Sequence, residues 1–325
     1  MKIFHSIPRR GTFKNPVVTI GNFDGAHAGH QKIFSEVVKK AEETGGTPVV
    51  ITFCPHPATV LSPAKDLKLI SSFEVKCCIA ERIGIKALIC IPFDARFANI
   101  DSEAFISEIL ADKIGARWVI VGNNCSFGRA KQGRPALLRA RGKKFGFKLK
   151  VVRYATALGK RISSTRVRSL VSKGDVQEAA LALKRAYHID GTVVKGKGRG
   201  SRILNTPTAN IITENRLIPK EGVYAVMATI DPEPCGHAPK NEQTTFNAVA
   251  NIGKNPTFGS ADIAYEVHLL DFNTDIRGRT LRIHFIKRIR DEKKFHSPAE
   301  LGIQIQKDIK KTRAILKKTD IQLYL

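Results

Sequence analysis

Two histidines three residues apart, His27 and His30, stand in GNFDGAHAGHQKIF (residues 21–34), directly after the apolar run at 16–20. Where a glycine-laced turn opens a helix, imidazoles can donate hydrogen bonds to phosphate oxygens. Glycines at 21, 25 and 29 let the backbone turn tightly and approach a ligand closely. Two other readings stay open: a metal pair, weakened by the lack of a third ligand nearby, and histidines with a structural task only. A second candidate is His56, held between Pro55 and Pro57, where proline restricts the backbone on both sides of the ring. The third is ISSTRVR at 162–168. Its hydroxyls suit either phosphate contact or a helix N-cap, and the Arg168 guanidinium can grip phosphate oxygens at two points.

These side chains need a scaffold. Up to about residue 184, short β-branched runs at 17–20, 49–53, 87–91, 118–121 and 149–152 alternate with segments of helical spacing at 30–43, 73–83, 102–114 and 135–145. Such alternation implies an α/β fold with a parallel sheet covered on both faces, whose ligands bind beyond the carboxyl ends of the strands. The histidine turn follows the first of those strands, the usual phosphate position. Near LKRAYHIDG (183–191) the texture changes to short strand-like pieces at 191–194, 223–230, 246–250, 264–270 and 280–286, punctuated by Gly, Pro and Asn and closed by a helical segment at 298–317. That pattern predicts a small antiparallel barrel or sandwich with a terminal helix. The boundary is placed so that one domain covers 1–186 and the other 187–325.

Composition bounds the function classes. The 325 residues carry 54 Lys+Arg against 29 Asp+Glu, a formal net charge of +25. Such an excess favours anionic partners, either nucleic acid or phosphorylated small molecules, and its bland explanation is a solvated basic surface. No basic arm or zinc-finger pattern accompanies it, so no specific nucleic-acid partner is expected. The six cysteines show no C-x-x-C spacing, which argues against both a zinc site and a disulfide framework. The start MKIFHSIPRR lacks the apolar centre of a signal peptide, and no apolar run has bilayer length. The expectation is a cytoplasmic protein without a membrane partner.

Several segments, taken in order, resemble the prokaryotic bifunctional riboflavin kinase/FMN adenylyltransferase family. They are GNFDGAHAGHQ (21–31), TFCPHP (52–57), VGNNCSFGRAKQG (121–133), ISSTRVR (162–168), GTVVKGKGRG (191–200), PTANI (207–211), NIGKNPTFG (251–259), YEVHLLDF (265–272) and RIRDEKKF (288–295). The resemblance covers nearly the whole chain. It implies an N-terminal Rossmann-like nucleotidyltransferase domain and a C-terminal six-stranded β-barrel kinase domain. The implied reactions are phosphorylation of riboflavin by ATP to FMN, then adenylylation of FMN by ATP to FAD with release of pyrophosphate, with Mg²⁺ in both steps.

By the same resemblance, His27, His30 and Arg168 act on the ATP phosphates, helped by Gly21, Phe23, Gly29, Ser164 and Thr165. Gly196 and Gly200 would belong to a flap over the phosphates of the kinase. His56, Asn124 and Arg290 would contact flavin. Glu266 would be the kinase base, and Thr208 and Asn210 would hold Mg²⁺. Departures from the family pattern are Cys125, where an aromatic residue is common, Asn205-Thr206 in place of Gly-Phe, and Ile276-Arg277-Gly278 in place of Leu-Tyr-Gly. They keep an alternative open: a single-activity FAD synthetase whose barrel lacks kinase activity.

Overall fold

A computed structural model describes residues 1–62, 64, 66–195, 208–232, 245–254 and 263–319. The chain divides into two compact units, Met1–Ser164 and Thr165–Leu325.

The first unit is a six-stranded parallel sheet. Its strands are β1 (Lys2–Phe4), β2 (Val17–Ile20), β3 (Pro48–Cys54), β4 (Ala87–Pro92), β5 (Trp118–Gly122) and β6 (Lys148–Val152), in the order β1-β4-β3-β2-β5-β6. Apolar side chains alternate between two cores because successive residues of a strand point to opposite faces. Val18, Ile51, Ile89 and Val121 pack on one side with Phe105, Leu110 and Leu138. On the other side Val17, Val50, Leu88 and Ile120 pack with Phe34, Val37 and Ala80. These cores are covered by α1 (Ala28–Glu43), α3 (Phe73–Ile83) and α6 (Pro135–Phe145), with the shorter α2 (Pro57–Leu61), α4 (Ala95–Ala98) and α5 (Ser102–Ala104) between strands. Ser72 caps the start of α3 and Gly84, at φ 108°, ends it. That is the Ser-to-Gly asymmetry of a helix with built-in start and stop signals.

Two features differ from the pattern expected of the sequence. The helix expected at 102–114 is α-helical only over α5 and continues as a π-helix over Phe105–Lys113. The wider winding still places Phe105, Ile106, Ile109 and Leu110 in the core. Strand β1 is the second, with only three residues at the sheet edge, too short to show a period.

The second unit opens with α7 (Ser164–Lys173, whose first residue belongs to the first unit) and α8 (Val176–Leu183). These helices group with the barrel, whereas the change in sequence texture lies near 186. The barrel strands are β9 (Tyr187–Val194), β10 (Ala209–Ile212), β11 (Gly222–Ile230), β12 (Thr245–Lys254), β13 (Ile263–Leu269) and β14 (Thr280–Arg290). The first unit also holds a short hairpin near its end, β7 (Thr156–Ala157) with β8 (Lys160–Arg161). The barrel is antiparallel and closed in the order β10-β13-β12-β11-β14-β9, and closure removes both sheet edges. Its interior is filled by inward residues such as Tyr187, Tyr224 and Phe285, whose rings pack 5.3 and 6.1 Å apart around Phe285. Outside, α9 (Pro298–Lys317) lays Leu316 against Ala225, Met227 and Ile286. Strand β10 has only four residues, which is why the sequence pattern did not show it.

Candidate functional sites

The strand order of the first unit reverses at β2, which has β3 on one side and β5 on the other. Loops leaving the carboxyl ends diverge at such a point and open a crevice. Gly21 leaves β2, Phe23 takes a left-handed conformation (φ 51°), and a single 3₁₀ turn, Asp24–Ala26, leads to His27, the N-cap of α1. Gly25 sits at φ 76°, and a Cβ there would lie 2.9 Å from Ile70 Cγ2. Only glycine lets the turn close on that side chain.

His27 Nδ1 accepts a hydrogen bond from the His30 amide at 3.3 Å. In the neutral ring this leaves the proton on Nε2, a donor. The two imidazoles are stacked, 3.6 Å between centroids and 18° between planes, and Phe23 meets His30 edge-on. A Cβ on Gly29 would approach the His27 ring to 3.1 Å, so this stack has no room for a larger residue. Burial, reinforced by the nearby His27 and Lys76, holds the His30 pKa well below the usual 6.5. His30 Nδ1 is buried and has no hydrogen-bond partner among the described residues. Buried polar atoms are nearly always paired, so an orphan at a crevice marks a place where a ligand fits.

The turn is held from below. Asp24 accepts from the Ile70 amide at 3.0 Å, and Ser164 Oγ donates to the Asp24 carbonyl at 3.0 Å. Lys76 Nζ donates to Thr52 Oγ1 at 3.2 Å, and that hydroxyl donates to the Asn22 carbonyl at 3.2 Å. Ser164 therefore supports the backbone of the histidine turn. Thr165 is exposed and Arg168 half-buried on α7, within the second unit.

His56 follows β3 after the cis Cys54–Pro55 bond and caps α2, its Nδ1 accepting from the Ala58 amide at 3.1 Å. Asn124 is exposed in the turn that leaves β5. Next to it the Cys125 thiol packs against the core, and burial pushes its pKa up to about 12. It behaves as a small apolar group, not a nucleophile.

On the barrel, Glu266 of β13 stands directly opposite Asn210 of β10 and Asn251 of β12. Directly paired residues share a face. Tyr265, Val267 and Leu269 are buried, so the Asn210–Glu266–Asn251 row lies on the outer face, with all three side chains partly buried. Burial raises the Glu266 pKa. A second acid lies close by: a Cβ on Gly253 would fall 2.0 Å from Glu292 Oε1, so the Glu292 carboxylate lies over that glycine. Burial raises the Glu292 pKa, and Glu221 and Glu266 raise it further. Thr208 is exposed immediately before β10. Arg290 donates from Nε and Nη2 to Asp308 Oδ2 on α9 at 3.0 and 2.8 Å. Gly196 and Gly200 lie outside the described residues.

Comparison with known proteins bears on both units. A family profile described as FAD synthetase matches residues 10–166, and one described as riboflavin kinase matches 183–316. The chain is 34% identical over 301 residues to a bifunctional riboflavin kinase/FMN adenylyltransferase of Haemophilus influenzae, covering 91% of this chain and 93% of that protein. The chain belongs to this bifunctional family. The protein of the same name from Bacillus subtilis is 35% identical and covers 90% of each chain, and that of Escherichia coli K12 is 32% identical with the same coverage. A crystal structure titled macrolide-efflux protein, from Streptococcus pneumoniae, matches with a TM-score of 0.84 and 31% identity over 96% of this chain and 99% of that one. Among the described residues no helix is long and apolar enough to cross a membrane. The parallel-sheet unit carries the FAD synthetase domain and the barrel the riboflavin kinase domain, so the chain is a transferase of two activities in FMN and FAD formation.

The sequence pattern alone did not single out Lys76, Asn251 or Glu292. Lys76 left a signal: with Phe73, Cys77 and Ala80 it forms the i, i+3, i+4, i+7 stripe that a buried helix face requires. Asn251 and Glu292 reach Glu266 only through strand register and a glycine, which no local spacing encodes.

Proposed function

We propose that FMN adenylylation takes place at the histidine turn, with His27 and His30 as donors to the ATP phosphates. The stacked pair with its orphaned Nδ1, set where the sheet order reverses, carries this reading. FMN arrives with its nucleophile already charged, since the second pKa of a phosphate monoester is about 6. No base is needed. The site has to align FMN with the α-phosphorus and stabilise charge moving onto the departing pyrophosphate, which preorganised donors do. Gly21, Phe23 and Gly29 shape the turn, Ser164 fixes it, and Thr165 and Arg168 supply further contacts to the triphosphate. His56 and Asn124, beyond β3 and β5, are assigned to flavin.

Riboflavin phosphorylation is assigned to the outer face of the barrel. Its nucleophile is a neutral alcohol, whose proton must leave as the bond to the γ-phosphorus forms. Glu266 accepts that proton, and its raised pKa brings it nearer the working range of a general base. Thr208 and Asn210 offer a hydroxyl and an amide oxygen two residues apart, hard donors that fit Mg²⁺ sharing its shell with water and nucleotide phosphates. When bound, the ion neutralises charge on the transferring phosphates. Arg290 is assigned to flavin, its guanidinium oriented by Asp308. The protein is assigned to the cytoplasm, with no membrane and no specific nucleic acid as partner.

Product composition tests the division. Starting from riboflavin, His30→Ala should accumulate FMN without converting it, with FAD synthesis reduced about ten- to a hundredfold by loss of a donor to a charged group. Near-normal FAD synthesis by that variant would remove the assignment of His30.

A further inference from the structure

Lys76 sits in the apolar stripe of α3 and is only 8% exposed. An ammonium group has three donors. This one spends one donor on the neutral hydroxyl of Thr52 and lies 5.8 Å from the Phe73 ring centroid, and no ion pair or other hydrogen bond serves it among the described residues. A charge buried in this way is unfavourable unless something else in the functional state pairs it. Asp24 is the carboxylate whose charge favours it, at longer range than an ion pair and already accepting from Ile70 N. The other titratable neighbours are the thiols of Cys54, Cys77 and Cys90 and the imidazole of His30. None of the thiols supplies a charge at neutral pH where burial raises its pKa, as it does for Cys77 and Cys90.

The position of this cation is specific. Thr52 stands near the carboxyl end of β3, and its hydroxyl also reaches the Asn22 carbonyl in the turn that leaves β2. The ammonium therefore lies at the carboxyl edge of two central strands, next to the His27–His30 stack. A second polar group is orphaned at the same place, His30 Nδ1. Both observations point to one missing partner, an anion.

We propose that Lys76 is a binding residue of the adenylylation site, a buried positive charge completed by the polyphosphate of the nucleotide and of the pyrophosphate product. The inference rests on the reading that the histidine turn holds these phosphates. A tether alone would not need a charge, because a neutral side chain could fill the stripe and the hydroxyl of Thr52 already holds Asn22. A lysine here supplies a compact cation that does not depend on the protonation of either histidine.

The test is steady-state FMN adenylylation by the full chain with Mg²⁺, reading KM for ATP and the inhibition constant of inorganic pyrophosphate. Lys76→Met and Lys76→Gln should raise both constants about ten- to a hundredfold, as expected for a lost charged hydrogen bond. Thr52→Val removes the hydroxyl that joins Lys76 to the Asn22 carbonyl but keeps the charge, and should raise both constants less than either Lys76 variant does. Circular dichroism and riboflavin phosphorylation check that each variant is folded. Wild-type constants in both folded Lys76 variants would overturn the proposal. So would equal damage by Thr52→Val, which would make Lys76 a tether. His30→Ala separates this from the underlying reading: if it leaves the pyrophosphate constant unchanged, the phosphates bind elsewhere and both fall. If His30→Ala weakens pyrophosphate and the Lys76 variants do not, the role of Lys76 alone is refuted.

Discussion

At the mouth of β2 the polar groups are His27, His30 and Lys76, all side chains with donors that suit an anion, arranged around backbone turned by glycine. On the outer face of the barrel the corresponding place is taken by an acid, Glu266, between Asn210 and Asn251 and near Glu292. The contrast follows from the two nucleophiles. A phosphate that is already ionised needs its charge received, whereas an alcohol needs its proton removed. One chain therefore keeps two electrostatic environments on two scaffolds, a parallel sheet whose diverging loops expose amides and a closed barrel whose outward strand residues can be set in rows.

The sharpest way to break this contrast is Glu266→Gln, which keeps shape and removes the carboxylate. FMN formation from riboflavin should fall by about two to four powers of ten, while FAD formation from supplied FMN stays near normal. Loss of both reactions in a folded protein would mean that the two environments are not separate. A smaller effect is expected from Leu316→Ala, which removes the side chain that α9 places on the barrel and should destabilise by about 2–5 kcal/mol. Urea unfolding followed by riboflavin phosphorylation should show an earlier midpoint, with FMN adenylylation lost later or unchanged.

The histidines offer a gentler probe. His188, half-buried, and His284, buried, lie on neighbouring barrel strands and, like His30, titrate well below 6.5 because desolvation disfavours their charged forms. The unfolded chain binds protons below about pH 6.5 that the folded chain refuses, so stability is full above that pH and falls as acid is added. Denaturant midpoints at pH 7.5 and 5.5 should differ in that direction, and His284→Gln should narrow the gap. The smallest effect concerns the +25 charge. Binding to duplex DNA should be sequence-blind and largely lost at physiological salt. Tight binding to one sequence under those conditions would mean that the basic excess serves a partner other than phosphate substrates.

Much of the sheet unit was legible because its signals are local. β-branched runs, a Ser cap and Gly stop on α3, and H-x-G-H after the first strand all act over a few residues. The barrel was less legible: β10 is too short for a period, and its pairing with β9 and β13 depends on closure of the whole sheet. His56 and Ser164 also carry structural tasks, His56 capping α2 and Ser164 bracing the Asp24 carbonyl.

By itself the sequence determined the composition of each region, the order of strands and helices, and which residue types stood ready for phosphate, because propensity, capping and turn chemistry are properties of neighbouring residues. Tertiary structure alone decided which of them meet. It stacked His27 on His30, buried Lys76 beneath their turn, set Asn210 and Asn251 on either side of Glu266, and tied Arg290 to Asp308. Each of the last three depends on residues well separated in the chain, and strand register and burial are settled only when the sheet and the barrel have closed over their cores.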